Sequence, residues 1–301
     1  MDSPLFRMLS GRVAPVLVVL FGFCADLPAE TRLEPGRNSG GFAFAAKPGA
    51  ICHLAFRAKI DGEMTVEKNR QFAEAFYDVQ RETRGLYWPR WHVTFAFADG
   101  RTRKNGGTGQ YWNSVFSGEW RTYNDLFQIP RGCTNVTVTF SNPSKTDALV
   151  FEPPTLEPVE TPYVNQNPDF AYGECCHAGY SLGWFETTVR MMRTPEGTNY
   201  MHVASWTAMD GFLVEPNHRY EVDIALMPWV RLKTGSANGV TFADAAGKRI
   251  ENCGGTLLAK AKDLGGKDVF LAPTNAATMS ILLKSTDYRY IHVRDLGEVR
   301  K

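Results

Sequence analysis

The chain has 301 residues, with 33 Lys and Arg against 32 Asp and Glu, and a formal net charge of +1. At roughly 150 residues per domain, this length argues for two domains, each able to bury its own core, and the balanced charge excludes the cationic field that holds nucleic acid. Hydrophobic residues make up 44%, aromatics 12% and charged residues 22%, which excludes disordered, collagen-like and coiled-coil classes. No H-E-x-x-H, P-loop or Rossmann glycine pattern occurs, so none of these three gives a catalytic lead.

At the amino terminus, Arg7 and Arg12 precede an apolar run from Val13 to Phe23. The run has about half the ~20 residues of a membrane span, so residues 1–25 read as a secretory signal peptide with no transmembrane span; a buried hydrophobic strand is the competing reading. A lipid anchor on Cys24 fits less well, because bulky Phe23 precedes it where lipoprotein signals carry a small residue. Export exposes Cys52, Cys133, Cys175, Cys176 and Cys253 to an oxidising compartment, where an odd number leaves one thiol free. Cys175, Cys176 and His177 lack the second ligand pair that zinc requires, so they read as a loop that could bridge to Cys253.

Alternation at period two dominates the rest of the chain. Leu54, Phe56, Ala58 and Ile60 share one parity, as do Val136, Val138 and Phe140, then Tyr220, Val222, Ile224 and Leu226, then Met279, Ile281 and Leu283; each set reads as a strand with one buried face. Residues 67–84 are the exception. Phe72, Phe76 and Val79 fall at helical spacing before Gly85 and predict an inserted helix, with strand alternation through Ala73, Ala75, Tyr77 and Val79 as the alternative.

The strands repeat. V-T-F-A-F-A-D-G-R from Val93 matches V-T-F-A-D-A-A-G-K from Val240 at an offset of 147, and Phe127 to Phe140 matches Phe270 to Leu283 at an offset of 143. The same order in both halves indicates an old tandem duplication. Between them, Glu152 to Pro162 holds four prolines, which favour an extended linker. The expected organisation is a first β-sandwich over 41–157, a linker over 158–164 and a second β-sandwich over 165–301, both antiparallel jelly rolls in an all-β chain.

Particular motifs sharpen this. N-P-D-F at Asn167 to Phe170, Gly183-Trp184, Glu196-Gly197, V-E-P-N-H-R-Y-E-V at Val214 to Val222 and S-G-E-W-R-T-Y at Ser117 to Tyr123 resemble the carbohydrate-binding modules of families 4 and 9 and the wider galactose-binding-like jelly rolls. The resemblance covers most of residues 41–300. It implies a polysaccharide or glycan partner, buried positions for Trp120 and Trp184, and a structural calcium tying first strand to last. The acidic last-strand motif survives only in part, in I-H-V-R-D-L at Ile291 to Leu296 and V-F-E-P-P-T-L at Val150 to Leu156, which leaves Asp169 and Asp295 as the metal candidates. Their plain reading is a strand-start and a near-terminal carboxylate, short of a six-oxygen cage. No other cofactor is expected.

Sugar rings present apolar C–H faces and hydroxyl edges, so a glycan site calls for an exposed aromatic beside hydrogen-bonding groups. Trp91 shares parity with Val93, Phe95 and Phe97 and reads as core. The loop residues Tyr87, Trp88, Arg90, Gln110, Tyr111, Trp112 and Asn113 form the predicted site of the first module, and Tyr200, Trp206 and Trp229 that of the second. Arg101, Arg103 and Lys104 read as a solvated turn. The leading expectation is a secreted, non-catalytic glycan-binding protein. The alternatives are an adhesion or spacer module with internal Trp residues, and a polysaccharide-acting enzyme using His92, Tyr123 and Glu119.

Overall fold

The computed structural model describes residues 30–62, 89–105, 114–115, 117–172, 189–204, 207–208, 211–230, 237–258 and 265–299. The signal-peptide reading of 1–25, the helix expected over 67–84, Trp184 and the Cys175, Cys176, His177 loop lie outside these residues. Among the described residues every regular element is a strand, no helix is long and apolar enough to cross a membrane, and every strand pairing is antiparallel.

The first half contains β1 (Thr31–Leu33), β2 (Phe42–Ala45), β3 (Ile51–Asp61), β4 (Arg90–Phe97), β5 (Thr102–Lys104), β6 (Arg121–Gln128), β7 (Cys133–Ser141), β8 (Ala148–Phe151) and β9 (Thr155–Pro158). One sheet runs β1-β8-β3-β6 with β9 also on β3, and the other runs β2-β7-β4-β5. Their facing sides enclose one core, in which Phe56 of β3 meets Trp91 of β4 at 5.1 Å and Phe95 meets Phe127 at 5.6 Å. The period-two pattern explains this: alternate side chains leave opposite faces, and only the apolar set is desolvated.

The second half contains β10 (Val189–Arg193), β11 (Asn199–Val203), β12 (Thr207–Ala208), β13 (Phe212–Leu213), β14 (His218–Leu226), β15 (Ala237–Ala243), β16 (Gly255–Leu258), β17 (Gly265–Leu271), β18 (Thr278–Leu283) and β19 (Thr286–Glu298). Its sheets run β10-β11-β19-β14-β17 and β12-β18-β15-β16, with β13 also on β18. Tyr220, Val222, Ile224, Phe242, Ile281 and Val293 are among the residues of its separate core.

The duplication is visible in the register. Val93 opposite Val138 in the first half becomes Val240 opposite Ile281 in the second, and Phe95 opposite Val136 becomes Phe242 opposite Met279. These pairs carry the offsets of 147 and 143 found in the sequence. Likewise Leu54 opposite Asp125 becomes Val222 opposite Asp268. Leu54 opposite Leu156 and Ala58 opposite Phe151 become Val222 opposite Val293 and Leu226 opposite Tyr288. A single 13-residue strand, β19, therefore fills the place of β8 and β9 together. Pro153 and Pro154 separate the two shorter strands, since proline has no N–H to donate to the ladder.

Part of the proline-rich stretch is consequently sheet: Thr155 to Pro158 pairs with Ala55 to Cys52. Beyond it, residues 159–172 touch both halves. Val159 and Tyr172 pack on Ile51 and Leu126, while Asn165, fully buried, donates to Ile291 O at 2.8 Å and accepts from Val293 N at 2.9 Å. Its side-chain amide thus imitates a backbone partner for β19. The N-P-D-F motif forms a turn with left-handed Asn167 and Phe170 (φ of 47° and 57°), which inserts Phe170 into the second core. Arg131 bonds Val214 O at 2.6 Å and Glu215 at 2.7 Å, and Gln128 accepts from Leu213 N at 2.7 Å, so the halves also meet through side chains.

Two expectations need correction. Trp120 is half-buried rather than core: it lies against Arg57 and Lys59, with cation-to-ring distances of 5.3 and 5.2 Å. It immediately precedes β6 and, following the register of Ala58 opposite Arg121, falls opposite Lys59, whose parity is outward. The expected pairing of cysteines is absent from Cys52, Cys133 and Cys253, which are free thiols; burial raises the Cys52 thiol to about 11. Trp91, by contrast, is 1% exposed, as its parity requires.

Candidate functional site

The sheet β10-β11-β19-β14-β17 buries one face and turns the other outward. Parity assigns Tyr200 and His202 of β11 to the outer face, because Met201 and Val203 between them are core. On β19, Asp287 stands opposite His202. Next to this pair the chain leaves β14 in a turn, Met227 to Val230, closed by Val230 N donating to Met227 O at 3.0 Å, with Pro228 at the position whose fixed φ favours such a turn. Met227 and Val230 are buried, so Trp229 between them is pushed outward and is 51% exposed.

Asp287 organises the cluster. Its backbone carbonyl accepts from Met227 N at 3.0 Å, its Oδ2 accepts from Trp229 Nε1 at 2.6 Å, and its Oδ1 lies 2.7 Å from His202 Nδ1. Carboxylate oxygens act as acceptors, so Nδ1 is the donor of this pair. Tyr200 meets Trp229 edge to face at 5.3 Å. Its phenol is pushed up from its ordinary value by partial burial and then by the Asp287 charge. The result is an indole face fixed in orientation, rimmed by a carboxylate, an imidazole and a phenol.

Farther along β19, the outer face carries a second aromatic group. His292 stacks between Tyr163 and Tyr290 with centroids 4.0 Å apart on both sides. Arg294 caps the Tyr163 ring at 5.1 Å and donates to its hydroxyl at 3.2 Å, and Asp169 lies 2.6 Å from His292 Nε2. Burial and the Asp223 charge raise the Tyr290 phenol.

Of the sequence-predicted residues, Tyr200 and Trp229 are brought together. Tyr87, Trp88, Gln110, Tyr111, Trp112, Asn113 and Trp206 lie outside the described residues. Arg90 begins β4 and bridges to Ser114, with its Nε buried. The two metal candidates each pair with a different histidine, Asp169 with His292 at 2.6 Å and Asp295 with His218 at 2.8 Å, and no group of three metal-ligating side chains occurs among the described residues. His92, Tyr123 and Glu119 are not assembled: Tyr123 faces the core against Phe56, while His92 faces outward to Ser141 at 3.0 Å and Glu119 is exposed. Sequence reasoning missed Asp287, His202, His292 and Tyr163. The outward parity of His202 beside Tyr200 was the available signal.

Fold and face together define an all-β protein of paired sandwiches with an aromatic, hydrogen-bonding sheet surface. No family model matches the chain, and no curated protein matches it in sequence. Among solved structures it is similar to the N-terminal CBM22-1-CBM22-2 tandem domain of Paenibacillus barcinonensis Xyn10C, at 7% identity and a TM-score of 0.30, covering 84% of this chain and 82% of that one. It is also similar to a Family 16 Carbohydrate Binding Module-2, at 15% identity and a TM-score of 0.27, over 43% of this chain and 74% of that one. The ANXUR2 extracellular domain of Arabidopsis thaliana is similar at 4% identity and a TM-score of 0.24, over 90% and 84%. These are loose likenesses, and what the site can bind is read from its own geometry.

Proposed function

We propose that this chain is a secreted, non-catalytic glycan-binding protein built of two jelly-roll modules of the kind seen in carbohydrate-binding families 4 and 9, and that the Trp229 surface of the second module holds a saccharide. The observation that carries this reading is an indole left 51% exposed yet tied through Nε1 to Asp287. A large aromatic is ordinarily covered or mobile; one held open and rigid offers apolar area at little entropic cost to a ligand. A pyranose C–H face rests on the ring, and its hydroxyls meet the Asp287 and His202 edges and the Tyr200 O–H. The spacer alternative requires internal Trp residues, which Trp229 is not.

Affinity electrophoresis of the full chain through gels containing neutral polysaccharides tests this. Trp229→Ala should melt close to wild type and bind at least about tenfold more weakly, the effect of removing an aromatic anchor. Absence of retardation on every glycan, or full retention by Trp229→Ala, overturns the proposal.

A further inference from the structure

A different surface, independent of the Trp229 reading, has the chemistry for a charged ligand. On the outer face of β3, Arg57 and Lys59 are two residues apart and both approach the half-buried Trp120 of the neighbouring strand end, at 5.3 and 5.2 Å from the ring centroid. Two cations converging on one ring repel each other; Arg57 is compensated by Glu152 at 2.8 Å, whereas Lys59 has Asp61 as a more distant counter-charge. Among the described residues no carboxylate lies within ion-pairing distance of Lys59; the nearby Asp61 is engaged by Arg32. The patch thus joins an ammonium with no carboxylate at ion-pairing distance among the described residues, a guanidinium with further donors beyond the one Glu152 accepts, and partly exposed indole area. With a net charge of only +1 the whole chain is no general polyanion binder.

We infer that the Trp120, Arg57 and Lys59 surface of the first half binds an acidic saccharide, specifically a carboxylate-bearing sugar of a uronate polymer. A simple anion has no use for an indole, and a neutral sugar has none for two cations. A uronate ring presents both an apolar C–H face and a carboxylate, which matches the patch group for group.

The full chain should be retarded in gels containing polygalacturonate at about 50 mM salt, where charge attraction is not yet strongly screened, and not in dextran. Lys59→Gln and Arg57→Gln should each weaken this by about fivefold, the loss of one charge contact. Arg101→Gln, which removes an equal charge from an exposed turn, should leave it unchanged. Trp120→Ala should also weaken retention, and if that variant does not fold, the two cation variants still decide. No retardation by polygalacturonate, wild-type retention by both cation variants, or equal retention on dextran sulfate overturns the assignment.

Discussion

The two halves agree in their interiors and differ on their outer faces. Matching Cys52 to Tyr220 through the shared register, the outward residues His53, Ala55 and Arg57 of β3 correspond to Glu221, Asp223 and Ala225 of β14. In the first half, one end of this face is covered by the chain itself: Tyr172 lies 4.8 Å from the His53 ring, and His53 bonds Asn124 at 3.0 Å. Its other end holds the cation-flanked Trp120. In the second half the same sheet carries the Tyr163, His292 and Tyr290 stack and, at its end, Trp229. A strand separates the two tasks by parity, so inward residues keep the register while outward ones diverge freely.

The largest test of the shared interior is a matched pair of core truncations. Phe95→Ala and Phe242→Ala occupy equivalent, fully buried positions, and each should cost about 3–5 kcal/mol in denaturant unfolding. A silent member of the pair would break the equivalence.

A smaller effect separates two equivalent carboxylates. Asp125 and Asp268 each accept from the next residue's N–H at 2.8 Å, yet Asp125 is buried and Asp268 exposed. Burial raises Asp125 from 3.8 to about 6, opposed by the Leu126 N–H and by the Asn105 side chain. The folded state therefore holds its proton more tightly than the unfolded state, and stability is lost as pH rises from about 4 to about 6. Relative to Asp125→Asn, wild type should lose about 3 kcal/mol across that window in urea titrations at pH 4 and 8. Asp268→Asn should stay within about 0.5 kcal/mol of wild type throughout. Parallel profiles for wild type and Asp125→Asn would refute the assignment.

The smallest effect contrasts the two surface indoles. Trp120→Ala should change stability by about 1 kcal/mol or less, since cation–ring contacts at exposed sites contribute about 0.5–1 kcal/mol, and Trp229→Ala by about 1 kcal/mol, the net contribution of its exposed hydrogen bond to Asp287. A loss near 3 kcal/mol for Trp120→Ala would restore it to the core.

Most of the core was legible because it obeys period two: Leu54 through Ile60 and Tyr220 through Leu226 are buried as their parity dictates. The repeat was legible because its offsets equal the structural register. Strand β9 was not, since Thr-Leu-Glu-Pro is short and proline signals a linker. Trp120 departs from expectation because it sits one residue outside its strand, where family position argues for burial and the outward side of Lys59 prevails. At the candidate site Tyr200 and Trp229 were legible as loop or surface aromatics, but Asp287 was not. Its role depends on β11 and β19, 85 residues apart, being neighbours, and no local pattern encodes that.

The bridging stretch 159–172 has a consequence for the order in which the protein is made. As the chain leaves the ribosome, every strand of the first half, β1 to β9, and every residue of its core emerge before the second half exists. Ile51 and Leu126, however, gain their cover in two steps, from Val159 and then from Tyr172. Asn165 emerges in the same stretch, but its partners Ile291 and Val293 come more than a hundred residues later. A nascent chain paused in that interval holds the segment that joins the halves before its docking edge on β19 has been synthesised.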